Sequence, residues 1–475
     1  SFQQGALVAP GGTTPAQFQM AKASQVSVVF VVTVPQGTPP VVPLRLAGNL
    51  YQLGNTFASL NGGVSTLASR MPIMAQLPDG RYMLTVELPV GGDIRYKYTL
   101  GDGFWNAEHN ADGSFRLRQA VIPPYNVVIE DRVETWYAGE VNSLSFDVTV
   151  PENTPADDFI SIQFSPLFGW TEPIPMWRLG GNRWGYMLYG PLNLPGNISY
   201  RYCRNDQCGT ADDFETPGLF GKGRLLVVDD KPKKVQEQVV NWLNPPLLIE
   251  PDNIPVPDVQ PRGAAFWAGV EFQASYHPSW KSQLPRALQQ VKDMGANWVV
   301  LTPTWSYPKN DNGNWLPRLN PLPSQDILWP DLIELVGQAQ GSSLSVALNP
   351  SAHLPGNIDK WWNEARLDAS WWETWFTEYR RFVLHHADLA QSSGAGALIL
   401  GGEWLLPALP GEALPDGAPS GIPGDAAQRW RTILGEVRSH YSGTILWSLP
   451  LDRAANPPPF LDAVDAVYLT YTISE

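Results

Sequence analysis

At 475 residues the chain is too long for one hydrophobic core, and domains of roughly 100 to 200 residues each predict about three of them. Its 32 basic against 46 acidic side chains leave a net charge of −14, which repels phosphate backbones and argues against nucleic acid as a partner; no run reaches the ~18 apolar residues that span a bilayer. Only 16% of the residues are charged while 45 are Pro and 42 are Gly, a balance that suits short strands and turns better than long solvated helices.

The 20 Trp are the most unusual feature of the composition. An indole can lie flat on the apolar face of a sugar ring, but its ordinary use is to fill a core with one polar handle. The chain begins at Ser1 without an apolar leader, so it reads as one whose signal segment has been removed or whose start has been trimmed.

Residues 1–22 have no periodicity and read as a flexible leader. Strand-forming runs then follow at close spacing: Gln25 to Val34, Tyr82 to Leu88 and Ile94 to Leu100, separated by Gly and Pro turns. The pattern returns later in the same order. Val32-Thr-Val-Pro-Gln-Gly-Thr-Pro recurs as Val148-Thr-Val-Pro-Glu-Asn-Thr-Pro, Ile94-Arg-Tyr-Lys-Tyr as Ile198-Ser-Tyr-Arg-Tyr, and Asp131-Arg-Val-Glu-Thr-Trp as Glu237-Gln-Val-Val-Asn-Trp. Residues 23–136 and 137–242 therefore read as two copies of one β-sandwich. Within the second, Cys203 and Cys208 are the only cysteines, and their five-residue separation across a turn predicts a small disulfide loop. No histidine lies near enough to complete a metal site with them.

Leu46-Ala-Gly-Asn, Leu53-Gly, Tyr96-Lys-Tyr and Gly103-Phe-Trp-Asn-Ala-Glu resemble the starch-binding sandwich of carbohydrate-binding module family 20. That resemblance implies sugar binding, with Trp105 where the family places an aromatic near its ligand; the alternative is a Trp closing the sandwich edge. The second copy has the cysteine turn in place of the Trp-Asn-Ala-Glu segment, which implies a bracing or spacing role.

Residues 243–262 are Pro-rich and read as a stiff linker. From 263 onward six strand-like runs alternate with helix-like segments such as Trp280 to Met294 and Trp371 to Ser392, the rhythm of a parallel sheet. The runs are Ala264 to Phe272, Asn297 to Leu301, Leu344 to Leu348, Ala397 to Leu400, Thr444 to Leu449 and Ala466 to Thr470. In barrels of this kind the chemistry sits just past the C-terminal ends of the strands, which singles out Glu271, Thr302 to Trp305, Asn349 to His353, Glu403 and Trp404, Trp447 and Tyr471. His385 and His386 fall inside a helix-like stretch and read as packing or surface residues.

Gly295-Ala-Asn-Trp-Val-Val-Leu-Thr-Pro, Val346-Ala-Leu-Asn-Pro, Trp375 to Ala390, Gly401-Gly-Glu-Trp and Val437 to Gly443 resemble glycoside hydrolase family 113, a β-mannanase-like family of clan A. The resemblance implies that Glu403, after the fourth run, is the general acid/base; Glu271, Trp305, His353, Trp404, Trp447 and Tyr471, from their places at strand ends, are expected to bind substrate. The clan's nucleophile follows strand seven and is expected beyond residue 475. Two positions depart from the family: its Pro-His after strand three is Pro350-Ser351, for which His353 is the substitute, and the Asn preceding the acid/base is Gly402.

The expected fold is multidomain: two antiparallel β-sandwich domains followed by an α/β barrel of the TIM type over 263–475, incomplete at six of eight strands. The expected function is that of a secreted glycoside hydrolase-like protein acting on or binding polysaccharide. The alternative is a non-catalytic extracellular carbohydrate-binding or structural protein with a degenerate barrel, associated with a cell surface or self-assembled. No phosphate-binding Gly loop or metal-ligand cluster occurs in the sequence, so no cofactor and no metal is expected.

Overall fold

The computed structural model describes residues 23–56, 68–102, 106–137, 143–165, 169–189, 196–215, 223–228, 231–243, 263, 266–272, 276, 278–307, 317–321, 326–354, 357–365 and 367–471. The expected leader, the expected linker from residue 244 to 262, and Trp105 lie outside them. The chain divides into two units, Ser1–Ile254 and Pro255–Glu475.

The N-terminal unit is built from β-sheets. Its first half contains β1 (Gln25–Thr33), β2 (Arg45–Gly48), β3 (Ala75–Gln76), β4 (Tyr82–Pro89), β5 (Asp93–Thr99), β6 (Arg118–Val121) and β7 (Val127–Arg132). Its second half contains β8 (Leu144–Thr149), β9 (Ile160–Ser165), β10 (Ile174–Pro175), β11 (Trp177–Gly180), β12 (Arg183–Leu188), β13 (Gly196–Arg204), β14 (Arg224–Val228) and β15 (Lys233–Gln238). Alternation decides which side chains enter the core: Val28, Phe30 and Val32 on β1 and Ile94, Tyr96 and Tyr98 on β5 are buried, whereas Arg95 between them is exposed.

The two halves repeat each other strand for strand. The sheet order β3-β4-β1-β7 recurs as β11-β12-β8-β15, and β2-β5-β6 recurs as β9-β13-β14 with β10 added beside β9. Registers agree as well: Val32 lies opposite Asp131 and Val148 opposite Glu237, while Tyr96 lies opposite Arg118 and Tyr200 opposite Arg224. The repeated Thr-Pro and Trp segments have a common reason, since Trp136 Nε1 donates to Thr38 Oγ1 at 2.8 Å and Trp242 Nε1 to Thr154 Oγ1 at 2.9 Å. In one respect the expected antiparallel arrangement is corrected. β7 runs parallel to β1 and β15 parallel to β8, because the closing strand of each half returns beside the opening strand in the same direction. The halves also share one continuous hydrophobic core.

In the C-terminal unit β16 (Gly269–Glu271), β17 (Trp298–Leu301), β19 (Ser345–Leu348), β21 (Ala397–Gly401), β22 (Thr444–Pro450) and β23 (Ala466–Thr470) form one six-stranded sheet in that order, every pair parallel. The sheet is curled as a half-barrel, and each of its strands falls on one of the six expected runs, β21 and β22 ending one residue beyond theirs. A second sheet, β18 (Thr304–Ser306) with β20 (Ser351–His353), has no counterpart among those runs. The helices are α1 (Leu284–Asp293), α2 (Trp329–Gly341), α3 (Ile358–Glu364), α4 (Ala369–Ser393) and α5 (Ala426–His440). Asp368 caps α4 by accepting from Trp371 N at 2.9 Å, and Gly394 ends it at φ 70°. Trp371, Trp375, Phe382 and His386 recur on one stripe of α4 and are buried against the sheet. His386 is a packing residue: its Nδ1 lies 2.8 Å from Phe382 O, and burial first, with His385 second, lowers its pKa to about 3, so the ring stays neutral.

Candidate functional site

Parallel strands deliver the residues after their C-termini to one rim of the sheet, so the rim is where each expected site residue is to be found. β21 is buried along its whole length and ends in Gly401-Gly402, at φ 93° and 106°. A Cβ at Gly401 would stand 2.7 Å from Ser448 O and 2.8 Å from the Trp447 ring, so only glycine allows the turn to press against β22. The turn brings Glu403 to the surface, where its side chain is exposed, as the first residue of a 3₁₀ turn over Glu403–Ala408. Gly402 N donates to Ser448 O at 3.1 Å, and Trp404 O accepts from Trp362 Nε1 at 3.0 Å. The carboxylate is thus exposed, on a backbone held by the neighbouring strand and by Trp362.

Glu271, the last residue of β16, is the focus of a second cluster. Its Oε1 accepts from Asn349 Nδ2 at 2.9 Å and Thr302 Oγ1 at 3.1 Å, and the Tyr468 hydroxyl lies 3.4 Å from its Oε2. These partners follow β17 and β19 or lie within β23, so side chains join the first and last strands of the sheet. Register explains the meeting: Glu271 lies opposite Val300, and Val300 belongs with Ala347, Ala397, Ile399, Leu446 and Tyr468 to the cluster on the face away from the helices. Burial, and then the Glu271 charge, raises the Tyr468 pKa, keeping its hydroxyl protonated as a donor.

The expected aromatic walls lie elsewhere. Trp404 packs against Tyr379 and Phe382, Trp305 against Phe382 and His385, and Trp447 against Trp430 and Phe460; all three are buried in the core between sheet and helices. They stand next to the rim in sequence but pack on the helix side, Trp447 from within β22, Trp305 from the separate strand β18 and Trp404 from the 3₁₀ turn after β21. Three expected residues remain at the surface: His353 ends β20, Glu271 ends β16, and Tyr471, which follows β23, is 73% exposed. Sequence reasoning placed Thr302 and Asn349 at strand ends without a role and passed over Tyr468. The available signal was its position two residues from Ala466 and Thr470, on a single face of the sixth run.

In the N-terminal unit Cys203 and Cys208 are joined as a disulfide, with Cα atoms 5.1 Å apart. The neighbouring Asp212 is held by Arg201 at 2.9 Å and Gly209 N at 2.7 Å. Each half also carries a buried ionic lock: Arg118 joins Glu108 and Asp131 at 2.8 and 2.6 Å, and Arg224 joins Asp213 and, at 3.1 Å, Glu237. No helix among the described residues is long and apolar enough to cross a membrane.

No curated protein matches the chain. Among solved structures, a β-mannanase of glycoside hydrolase family 113 from Alicyclobacillus acidocaldarius aligns at 21% identity and TM-score 0.34, over 43% of this chain and 59% of its own. A family 113 β-1,4-mannanase aligns at 18% identity and TM-score 0.30, over 39% of this chain and 54% of its own. A family 15 glucoamylase from Hypocrea jecorina aligns at 24% and TM-score 0.19, over 28% of this chain and 22% of its own. The chain spans less than two thirds of each of these. Within the C-terminal unit, residues 272–413, which include Glu403, match the family model described as Glycoside Hydrolase Family 113.

Proposed function

We propose that this is a glycoside hydrolase-like protein acting on polysaccharide, with Glu403 as its general acid/base. The observation that carries the reading is the placement of Glu403: exposed, directly after the fourth parallel strand, on a Gly-Gly turn pressed against the fifth. A carboxylic acid so placed can protonate a leaving glycosidic oxygen and then, as carboxylate, activate water. In a retaining reaction a second carboxylate ~5 to 5.5 Å away forms the glycosyl-enzyme. Glu271, oriented by Asn349 and Thr302, is suited to accept a sugar hydroxyl, with His353 and Tyr471 as further exposed contacts.

The N-terminal unit is proposed to hold the protein on its polysaccharide through two starch-binding-like sandwiches, 23–136 and 137–242, tied by the Pro-rich segment 243–262 to a barrel domain over 263–475. The strand-for-strand duplication supports the first part of this reading, and the disulfide supports an oxidising, extracellular location. A second reading, a non-catalytic carbohydrate-binding or surface-assembly protein, is favoured by the burial of Trp305, Trp404 and Trp447 in the core between sheet and helices.

The test is hydrolysis of β-mannan and α-glucan panels by the wild type and by Glu403→Gln. An amide cannot donate the proton, so turnover should fall by at least a hundredfold with polysaccharide binding retained. Equal rates remove Glu403 from the chemistry, and inactivity of the wild type together with retained binding favours the second reading.

A further inference from the structure

The first half of the N-terminal unit contains an open groove of about 480 Å³, lined by Tyr96, Asn110, Phe115, Arg116, Arg118 and Gln119 among others. Phe115 is its outstanding feature. The residue is 67% exposed, which is unusual for so large an apolar side chain, and yet it is held in place. The Lys97 ammonium lies 4.0 Å from the centroid of the ring, and Lys97 is itself buried. That cation covers one face of the ring, so the exposed surface belongs mainly to the other.

The backbone beneath the ring is rigid too. Phe115 is bridged to His109, Asn110 N donates to Ser114 O at 3.0 Å, Gly113 N donates to Asn110 O at 2.8 Å, and Asp112 Oδ1 accepts from Ser114 N at 2.9 Å. A flat apolar platform offered to solvent on a tight, hydrogen-bonded turn loses little entropy when something stacks on it.

Charge decides what can stack there. Arg116 is paired with Glu134 at 2.7 Å and approaches Glu108 at 3.7 Å, and Arg118 is paired with Glu108 and Asp131. The guanidinium charges of the groove are therefore already matched by carboxylates, which leaves no excess charge to recognise an ionic ligand. What remains is one ring face beside amide and guanidinium edges, the pairing that fits a ligand with an apolar face and a hydroxyl rim. Counted back from the equivalent arginines Phe115 falls at Gly221, and counted forward from the equivalent acids Glu108 and Asp213 it falls at Phe220, both outside the described residues.

We propose that the Phe115 groove, in the first half of the N-terminal unit, is a binding subsite for a neutral glycan. The proposal rests on the reading that the N-terminal unit binds polysaccharide, and it adds the residue, the face and the charge class.

The experiment is titration calorimetry of the 475-residue chain with maltoheptaose, mannohexaose and, as an anionic probe, oligogalacturonate. Phe115→Ala is expected to weaken binding of the preferred neutral oligosaccharide at least tenfold, Phe115→Trp to restore or tighten it, and Phe214→Ala, an exposed ring of the second half, to leave it unchanged. Because Phe115 is exposed, unfolding midpoints should agree among all four proteins. Neutral-glycan binding that is unaffected by Phe115→Ala overturns the groove while leaving the polysaccharide reading intact. Preference for oligogalacturonate overturns the neutral assignment, and failure of the wild type to bind any of the three overturns both the groove and the reading beneath it.

Discussion

The Tyr98 hydroxyl donates to the Asp131 carboxylate at 2.8 Å, and 104 residues later Tyr202 makes the same contact with Glu237, also at 2.8 Å. Tyr96 and Tyr200 add a second phenol to each carboxylate, at 3.1 and 2.9 Å. The repeated Tyr-x-Tyr and the repeated acid are therefore one device used twice, in which an interior carboxylate closes the last strand onto the opposite sheet. Tyr98→Phe and Tyr202→Phe should each cost about 1 to 2 kcal/mol, the value of a hydrogen bond to a charged group, and the two losses should add. Urea unfolding of the single and double variants measures this.

A second carboxylate is buried where the halves meet. Asp102 Oδ2 accepts from Tyr186 OH at 2.9 Å and from Asn106 Nδ2 at 2.5 Å, and Asn106 reaches across to Met187 O and Tyr189 N. Burial raises the Asp102 pKa from 3.8 to about 6, against the opposing effect of these hydrogen bonds. A folded-state pKa above the unfolded one means that the native state holds the proton longer. Stability from this group is therefore greatest below about pH 4 and declines as pH rises through about 6, by roughly 3 kcal/mol at most. Asp102→Asn should remove that dependence, so the wild type should lose stability relative to the variant between pH 4 and pH 7. Unfolding free energies measured at both values would reveal a flat difference if Asp102 does not titrate in this range.

Gly401 carries the turn before Glu403. Gly401→Ala forces a Cβ into Ser448 O and the Trp447 ring at a φ that L residues avoid, and it should destabilise the C-terminal unit by about 2 to 4 kcal/mol. Gly411→Ala has a similar positive φ but no atom within 4 Å of its Cβ, so it should cost less. Thermal melts of the two variants separate backbone strain from collision.

The disulfide joins cysteines five positions apart in sequence, the only two in the chain. Loop-closure entropy for so small a ring is worth about 2 kcal/mol. Reduction, or Cys203→Ser with Cys208→Ser, should lower stability by that amount, and thiol alkylation should label the native protein only after reductant is added.

The strand ladder of the C-terminal unit was legible because its cues are local. Ala397 to Gly401 and Thr444 to Pro450 are short apolar runs bounded by turn residues, and the duplicated segments of the N-terminal unit declare themselves by repetition. Placement of Glu403 followed from counting strands, since a parallel sheet delivers every strand end to one rim.

Facing was a different matter. A parallel strand is apolar on both sides, so its sequence does not say which side meets helices, and Trp305, Trp404 and Trp447 read equally well as cleft walls or as core. Packing against Phe382, Trp430 and Phe460 decided for the core. The sequence by itself determined the order of elements, the duplication and the position of Glu403 along the chain. Only the tertiary structure decided that β7 runs parallel to β1, that Asn106 bonds to Tyr189 and that Tyr468 approaches Glu271 from 197 residues away. Such contacts depend on where chain closure brings distant strands together, and periodicity, being a property of a few neighbouring residues, carries no record of it.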